Sequence, residues 1–255
     1  MTDNLVFLTD ADLDKPVYRI FSFQILEQIF QERKLTLVKP KLWDDPFENF
    51  ILNSTGRLLN GREFQIDFRS NFYGQCWSFT KESDAMWRIY SPDKNGVKVK
   101  TTIRKLFTPL FKAGGQHQKI NGIVYNISSF VGKVKYADTK TLITMLKDEQ
   151  LMSEIIFDQS GRGQASTFFF KRVAFRHEKE VRLIFNSQND NQFNTFKFDI
   201  NPIDVFDEIV FDPRMTETIY QEQKDKVIKW GFYKSIIQSG LYKLKIFTIA
   251  LRPTY

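Results

Sequence analysis

Glu178 and Glu180 stand two residues apart in His177-Glu178-Lys179-Glu180-Val181-Arg182-Leu183-Ile184-Phe185, a stretch that reads as a β-strand. Side chains alternate along a strand, so Glu178, Glu180 and Arg182 share one face and Val181, Leu183 and Phe185 the other. Two acids and an arginine backed by an apolar face form either a solvated sheet surface or the floor of an active site. Paired carboxylates suit two chemistries. One is general acid–base work, in which a carboxyl handles a proton. The other holds a hard divalent cation. Arg19 lies mid-strand in Val17-Tyr18-Arg19-Ile20-Phe21, where its planar fork matches a phosphate or a carboxylate. An acid on a neighbouring strand is the alternative partner. Ser78, in Cys76-Trp77-Ser78-Phe79, shares a face with Cys76, opposite Trp77 and Phe79. Taken alone, it reads as a small residue in a sheet.

Several chemistries are set aside. There is no GxxxxGK loop and no GxGxxG after a strand. His117 and His177 are the two histidines and Cys76 the one cysteine, so no Cys/His zinc cluster forms. Cys76 with His177 is a conceivable nucleophilic pair, but a cysteine in an apolar strand is more often inert core. No nucleophile-elbow signature supports a Ser-His-Asp triad.

The elements that must position these residues follow from pattern. Strands are expected at Val17–Phe21, Leu35–Val38, Phe72–Phe79, from Val97 to Val99, Val131–Tyr136, Asn194–Ile200, Asp207–Phe211 and Lys243–Leu251. Ser22 caps a helix through about Arg33, with Ile25, Leu26, Ile29 and Phe30 on one stripe. Ser83 caps a helix carrying Met86, Trp87 and Tyr90 and stopped near Pro92. Asp138 caps another containing Leu142, Met145, Leu146 and Leu151. A turn at Ser160-Gly161-Arg162-Gly163 leads into a helix reaching Arg172. A last helix, Thr216–Trp230, ends at Gly231. Strands and helices intermix without a βαβ rhythm, which predicts an α+β fold with a mixed, mainly antiparallel sheet and flanking helices.

The chain has 255 residues, 42% of them hydrophobic with 26 Phe, enough for a packed core, and no repeats or linkers, so one domain over 1–255 is expected. One cysteine, no basic-then-apolar leader and no apolar run near ~18 residues indicate a cytoplasmic protein with no membrane partner. The net charge of +7 favours polyanions such as nucleic acid or a phosphate-bearing small molecule.

The ordered set Tyr18-Arg19, Trp43-Asp44-Asp45-Pro46-Phe47-Glu48, Cys76-Trp77-Ser78-Phe79, Met86-Trp87-Arg88-Ile89-Tyr90 and His177-Glu178-Lys179-Glu180-Val181-Arg182-Leu183 resembles the DUF2971 family, over roughly residues 15 to 215. Trp77, Val181 and Asp44 replace the family's usual Phe, Tyr and Asn, and the polar positions are kept. The family pattern in turn resembles, distantly, the Arg-Ser-Glu class of ADP-ribosyltransferases. That resemblance implies an ADP-ribosyltransferase-like fold and NAD as co-substrate. Glu180 would be the catalytic carboxylate, and Glu178 would position or deprotonate the acceptor. Arg19 would clamp the pyrophosphate, Ser78 would orient the ribose, and Trp87 or Tyr90 would form a platform for nicotinamide. Asp45, Glu48 and Arg182 are candidate substrate contacts. The Asp-Pro-Phe-Glu box reads more readily as a loop fastener, with Glu48 paired to a basic group.

The function so implied is a bacterial toxin or phage-defence effector that modifies nucleic acid or protein, or an NAD glycohydrolase. Its partners would be NAD, nucleic acid or a protein acceptor, and a neutralising protein. Two alternatives stay open: a non-enzymatic nucleic-acid or protein binding module, and a metal-dependent nuclease using Asp44, Asp45, Glu48, Glu178 and Glu180.

Overall fold

The computed structural model describes residues 2–43, 45, 48, 50–51, 54–58, 60–66, 70–187, 192–244 and 246–252. Asp44, Pro46 and Phe47 of the box lie outside the described residues. The strands are β1 Leu5–Val6, β2 Pro16–Ser22, β3 Lys34–Val38, β4 Thr55–Arg57, β5 Glu63–Gln65, β6 Phe72–Ser78, β7 Gly96–Thr102 and β8 His117–Ile120. They continue with β9 Ile123–Asn126, β10 Ser129–Lys133, β11 Lys135–Ala137, β12 Phe170–Arg172, β13 Glu180–Asn186, β14 Thr195–Asp199, β15 Glu208–Phe211 and β16 Ser235–Gln238. The helices are α1 Phe23–Glu32, α2 Asp84–Tyr90, α3 Ile103–Lys112, α4 Thr139–Leu146, α5 Glu149–Ile156, α6 Arg162–Ser166, α7 Pro202–Val205 and α8 Glu217–Lys229.

A ten-stranded sheet runs β1-β10-β13-β6-β2-β7-β15-β16, with β3 attached to β6 and β14 to β3. Pairing is antiparallel except at β1–β10 and β15–β16. The fold is therefore α+β with a mixed, mainly antiparallel sheet, as the pattern predicts.

Local chemistry sets the helix starts. Ser22, Ser83 and Asp138 each accept a backbone N–H of the first turn, from Ile25, Met86 and Thr141 respectively. Asp148 does the same for Leu151, which divides the expected single helix after Asp138 into α4 and α5. On α1 the buried stripe is Phe23, Leu26 and Ile29, while Ile25 is exposed, because the core lies on one side of the helix only.

One face of the central strands feeds a large core through Tyr73, Trp77, Val181, Leu183 and Phe185, against α1, α3 and α8. The stacked rings of Phe185 and Phe196, 3.8 Å apart, join it to β14. The other face packs Phe72, Phe130, Phe168, Phe169 and Ile184.

Four further expectations are corrected. The strand at the glutamates begins at Glu180; Glu178 ends a 3-10 segment over Val173–Glu178, and Lys179 turns the chain through φ 44. The helix expected to reach Arg172 stops at Ser166, because Phe170–Arg172 pairs with β11. The strand expected over Val131–Tyr136 is two short strands, β10 and β11, on different sheets. The described part of Lys243–Leu251 forms no strand, and Leu244, Ile246 and Leu251 are exposed; their apolar spacing met no partner strand.

Gly132 sits where β1, β10 and Phe169 converge. A methyl there would come within 2.7 Å of the Val6 carbonyl and 2.5 Å of the Phe169 ring. Gly132→Ala is expected to lower stability by about 1–3 kcal/mol through overpacking, seen in thermal unfolding as a fall of several degrees.

Candidate active site

β6 has two neighbours along the same edge. Near its end, Ser78 pairs with Tyr18 of β2; further back, Gly74 pairs with Val38 of β3. β2 and β6 are thus joined at a single residue pair and then part. A cavity of about 130 Å³ lies at this parting, lined among others by Arg19, Cys76, Ser78, Tyr90, Glu178 and Glu180. Tyr18, not Arg19, shares the face of Ser78 in this register. Arg19 lines the same cavity because the sheet is open there.

Arg19 is half-buried, with its guanidinium 5.9 Å from the Phe21 ring. Among the described residues it has no hydrogen bond or ion pair. Burial lowers its pKa, against the opposing pull of Cys76 and Tyr90. Ser78 Oγ donates to the Glu178 carbonyl at 2.5 Å and accepts from the Thr80 N–H at 2.9 Å. The Lys179 carbonyl accepts from Phe79 N–H, and the Thr80 hydroxyl donates to the His177 carbonyl. These bonds fasten the left-handed turn that brings Glu178 beside Glu180.

The two glutamates are buried and differently held. Glu178 Oε1 accepts from the Tyr90 hydroxyl at 3.1 Å, and its Oε2 lies 2.5 Å from Lys171 Nζ. Glu180 Oε1 is 2.5 Å from the same Nζ, and its Oε2 accepts from Arg182 Nε at 2.7 Å. The Glu180 backbone N–H donates to the Tyr136 hydroxyl. Burial pushes Glu178 up to about 7, helped by its neighbour Glu180 and opposed by Lys171. Burial also opposes ionisation of Glu180, but Arg182 and Lys171 outweigh it and hold that carboxyl below the usual range. One acid is therefore ionised while the other exchanges a proton near neutrality, the arrangement of a charge stabiliser beside an acid–base group.

Sequence reasoning missed Lys171 and Tyr136. Lys171 is buried and reaches Glu48 at 2.8 Å as well as both cavity glutamates. Burial disfavours its ammonium, yet Glu180, Glu48 and Glu178 raise its pKa overall. The available signal was a lysine directly after Phe168-Phe169-Phe170, a charge at the end of an apolar run.

Other candidates sit elsewhere than expected. Trp87 is buried beside Ile20, Met86 and Val210, and its Nε1 donates to Glu82, so it presents no platform to the cavity; Tyr90 does line it. Arg182 is fully buried, bonded to Glu180 and the Phe168 carbonyl and stacked 4.6 Å from the Trp43 ring. Glu48 is 3.3 Å from Arg182, and Asp45 is bonded to Arg172 at 2.8 Å. These three expected substrate contacts are thus turned inward, and Asp45 and Glu48 fasten β12 as the loop reading has it. Three of the acids offered for a divalent cation, Glu48, Glu178 and Glu180, surround an ammonium instead. No metal-ligand cluster occurs among the described residues. Nor is any helix among them long and apolar enough to cross a membrane. His177 is exposed, and burial and then Glu180 push the Cys76 thiol far up, against a nucleophilic pair.

A thiol so held favours its protonated form. Alkylation of Cys76 by iodoacetamide in the folded protein at pH 8 is expected to be at least about tenfold slower than that of free cysteine, and to reach the free rate in denaturant.

Among curated proteins, none matches this sequence. Among solved structures, DarT from Thermus sp. 2.9 in complex with ADP-ribosylated ssDNA is 13% identical, with TM-score 0.37 over 89% of this chain and 94% of that one. The same protein in complex with NAD+ gives 13%, 0.36, 89% and 96%, and with carba-NAD+ 13%, 0.35, 88% and 95%. Residues 86–183, from the α2 helix to the strand of Glu180, match the model of DUF2971, described as a protein of unknown function, the family that the sequence motifs resemble.

Proposed function

We propose that the chain is an ADP-ribosyltransferase-like enzyme that uses NAD as co-substrate and transfers ADP-ribose to nucleic acid or protein, or to water as an NAD glycohydrolase. The observation that supports this is the cavity at the parted strands, which unites an arginine with no described hydrogen bond or ion pair with two glutamates whose carboxyls are pushed in opposite directions, Glu178 up and Glu180 down. The residues suit the substrate. Arg19 offers a planar fork to the diphosphate. Its small volume suits the nicotinamide end of NAD rather than the whole molecule.

In the reaction the nicotinamide–ribose bond breaks and its electron pair leaves with the ring nitrogen as neutral nicotinamide. Positive charge gathers at C1′ of the ribose. The Glu180 carboxylate steadies that charge and accepts a hydrogen bond from the 2′-hydroxyl. The acceptor oxygen or nitrogen bonds to C1′, and its proton passes to Glu178. Tyr90, bonded to Glu178 and lining the cavity, supplies an aromatic edge for the nicotinamide. Ser78, whose proton is committed to the Glu178 carbonyl, serves the ribose by fixing the turn beside it. The positive net charge favours a nucleic-acid acceptor, within a toxin or phage-defence role.

Nicotinamide release from NAD, with and without DNA, RNA or cell lysate, tests the reading. Glu180→Gln is expected to fold and to lose about 10²–10³-fold in rate; a variant of undiminished rate rejects the assignment. Glu178 must be ionised to take the acceptor proton, so the rate of the native enzyme should fall as pH drops through about 7. In Glu178→Gln that limb should vanish along with most of the rate. No release under any condition would leave a non-enzymatic binding module.

A further inference from the structure

We infer that Lys171 is the positioning residue that assigns separate roles to the two cavity glutamates, its buried ammonium bridging Glu178 and Glu180 while Glu48 anchors it from behind. This rests on the enzymatic reading above. Lys171 does not line the cavity, so it acts through the glutamates it holds. Its Nζ lies 2.5 Å from Glu178 Oε2, 2.5 Å from Glu180 Oε1 and 2.8 Å from Glu48 Oε1, and 4.6 Å from the Phe175 ring. Strand β12 brings it there, and β12 is itself tied down by Asp45 to Arg172.

The charge count explains the division. Glu48, Glu178 and Glu180 face Lys171 and Arg182, three acids against two fixed cations. A buried cluster is cheapest when neutral, so one acid retains its proton near neutrality. Glu180 touches both cations and stays ionised; Glu178 touches only Lys171 among them and carries the proton. The remaining groups facing the pair do not settle the choice. From α2 the Tyr90 hydroxyl donates to Glu178, from β11 the Tyr136 hydroxyl meets the Glu180 backbone, and from β6 and β2 come a protonated Cys76 and Arg19 across the cavity.

The experiment is titration of the Glu178 side-chain carboxyl by 13C NMR on glutamate-labelled protein, assigned with Glu178→Gln, beside the pH profile of nicotinamide release. Lys171→Met should raise the Glu178 midpoint, and with it the acid limb of the profile, by about 1–3 pH units. Lys171→Arg, which keeps the charge, should hold the midpoint near its native value. Glu48→Gln removes an acid behind the lysine, outside the cavity, and should move the midpoint down. A residue that only supports packing would lower the folded fraction and leave the midpoint in place, which overturns the inference. Should Lys171→Met fail to fold, Glu48→Gln alone decides: a downward shift supports the role and an unmoved midpoint overturns it. The enzymatic reading fails separately, by absence of nicotinamide release from the native chain.

Discussion

The Lys171 ammonium touches Glu48, Glu178 and Glu180, and Arg182 closes the group from the far side of Glu48 and Glu180. Removing such ions from water costs several kcal/mol each, even after relaxation. They are tolerated only because each answers another at contact distance. The network joins two stretches far apart in the chain: the loop at Asp45 and Glu48, and residues 170–182, which hold β12, the turn at Glu178 and the start of the strand from Glu180. Each must be in place before the others are neutralised. A buried ionic group of this kind is a weak stabiliser and a strict constraint on geometry. It fixes both cavity carboxyls to within hydrogen-bond distance of their cations.

The sheet adds the second constraint. β6 cannot pair along its whole length with both β2 and β3 on the same side, so one must leave where the other arrives. Among the described residues, Arg19, Ser78, Glu178 and Glu180 gather at the gap that results. Strand ends and partings are where backbone and side chains are free to meet a ligand without disturbing the core. On the opposite face, Trp77, Val181, Leu183 and Phe185 keep the sheet anchored, while the cavity face is polar at Ser78, Glu180 and Arg182 and apolar further along at Phe72 and Ile184.

Much of the local structure was legible in the residues. Ser22, Ser83 and Asp138 announced helix starts because a cap is a contact three residues long. The alternation of Val181, Leu183 and Phe185 announced the core face of a strand. Glu178 was misplaced onto that strand because a single left-handed residue, Lys179, breaks the period, and lysine gives no sign of it. Trp87 was misread because a buried tryptophan needs a partner for its N–H, and Glu82 cannot be known as that partner from sequence. Arg182 was misread because a strand with charge on one face looks solvated until something covers it.

The sequence by itself determined the residue types of the site, their order along the chain and the α+β class, since caps, alternation and turn chemistry act over a few residues. Tertiary structure alone decided that Arg19, Ser78, Tyr90, Glu178 and Glu180 line one cavity. It also decided that Asp45, Glu48 and Arg182 are paired inside the fold, and that burial pushes the Glu178 carboxyl up while Arg182 and Lys171 hold that of Glu180 down. The reason is range: a carboxylate's proton depends on burial and on charges a few ångströms away, and Lys171, Glu48 and Arg182 come that close only through strand pairing and a packed loop.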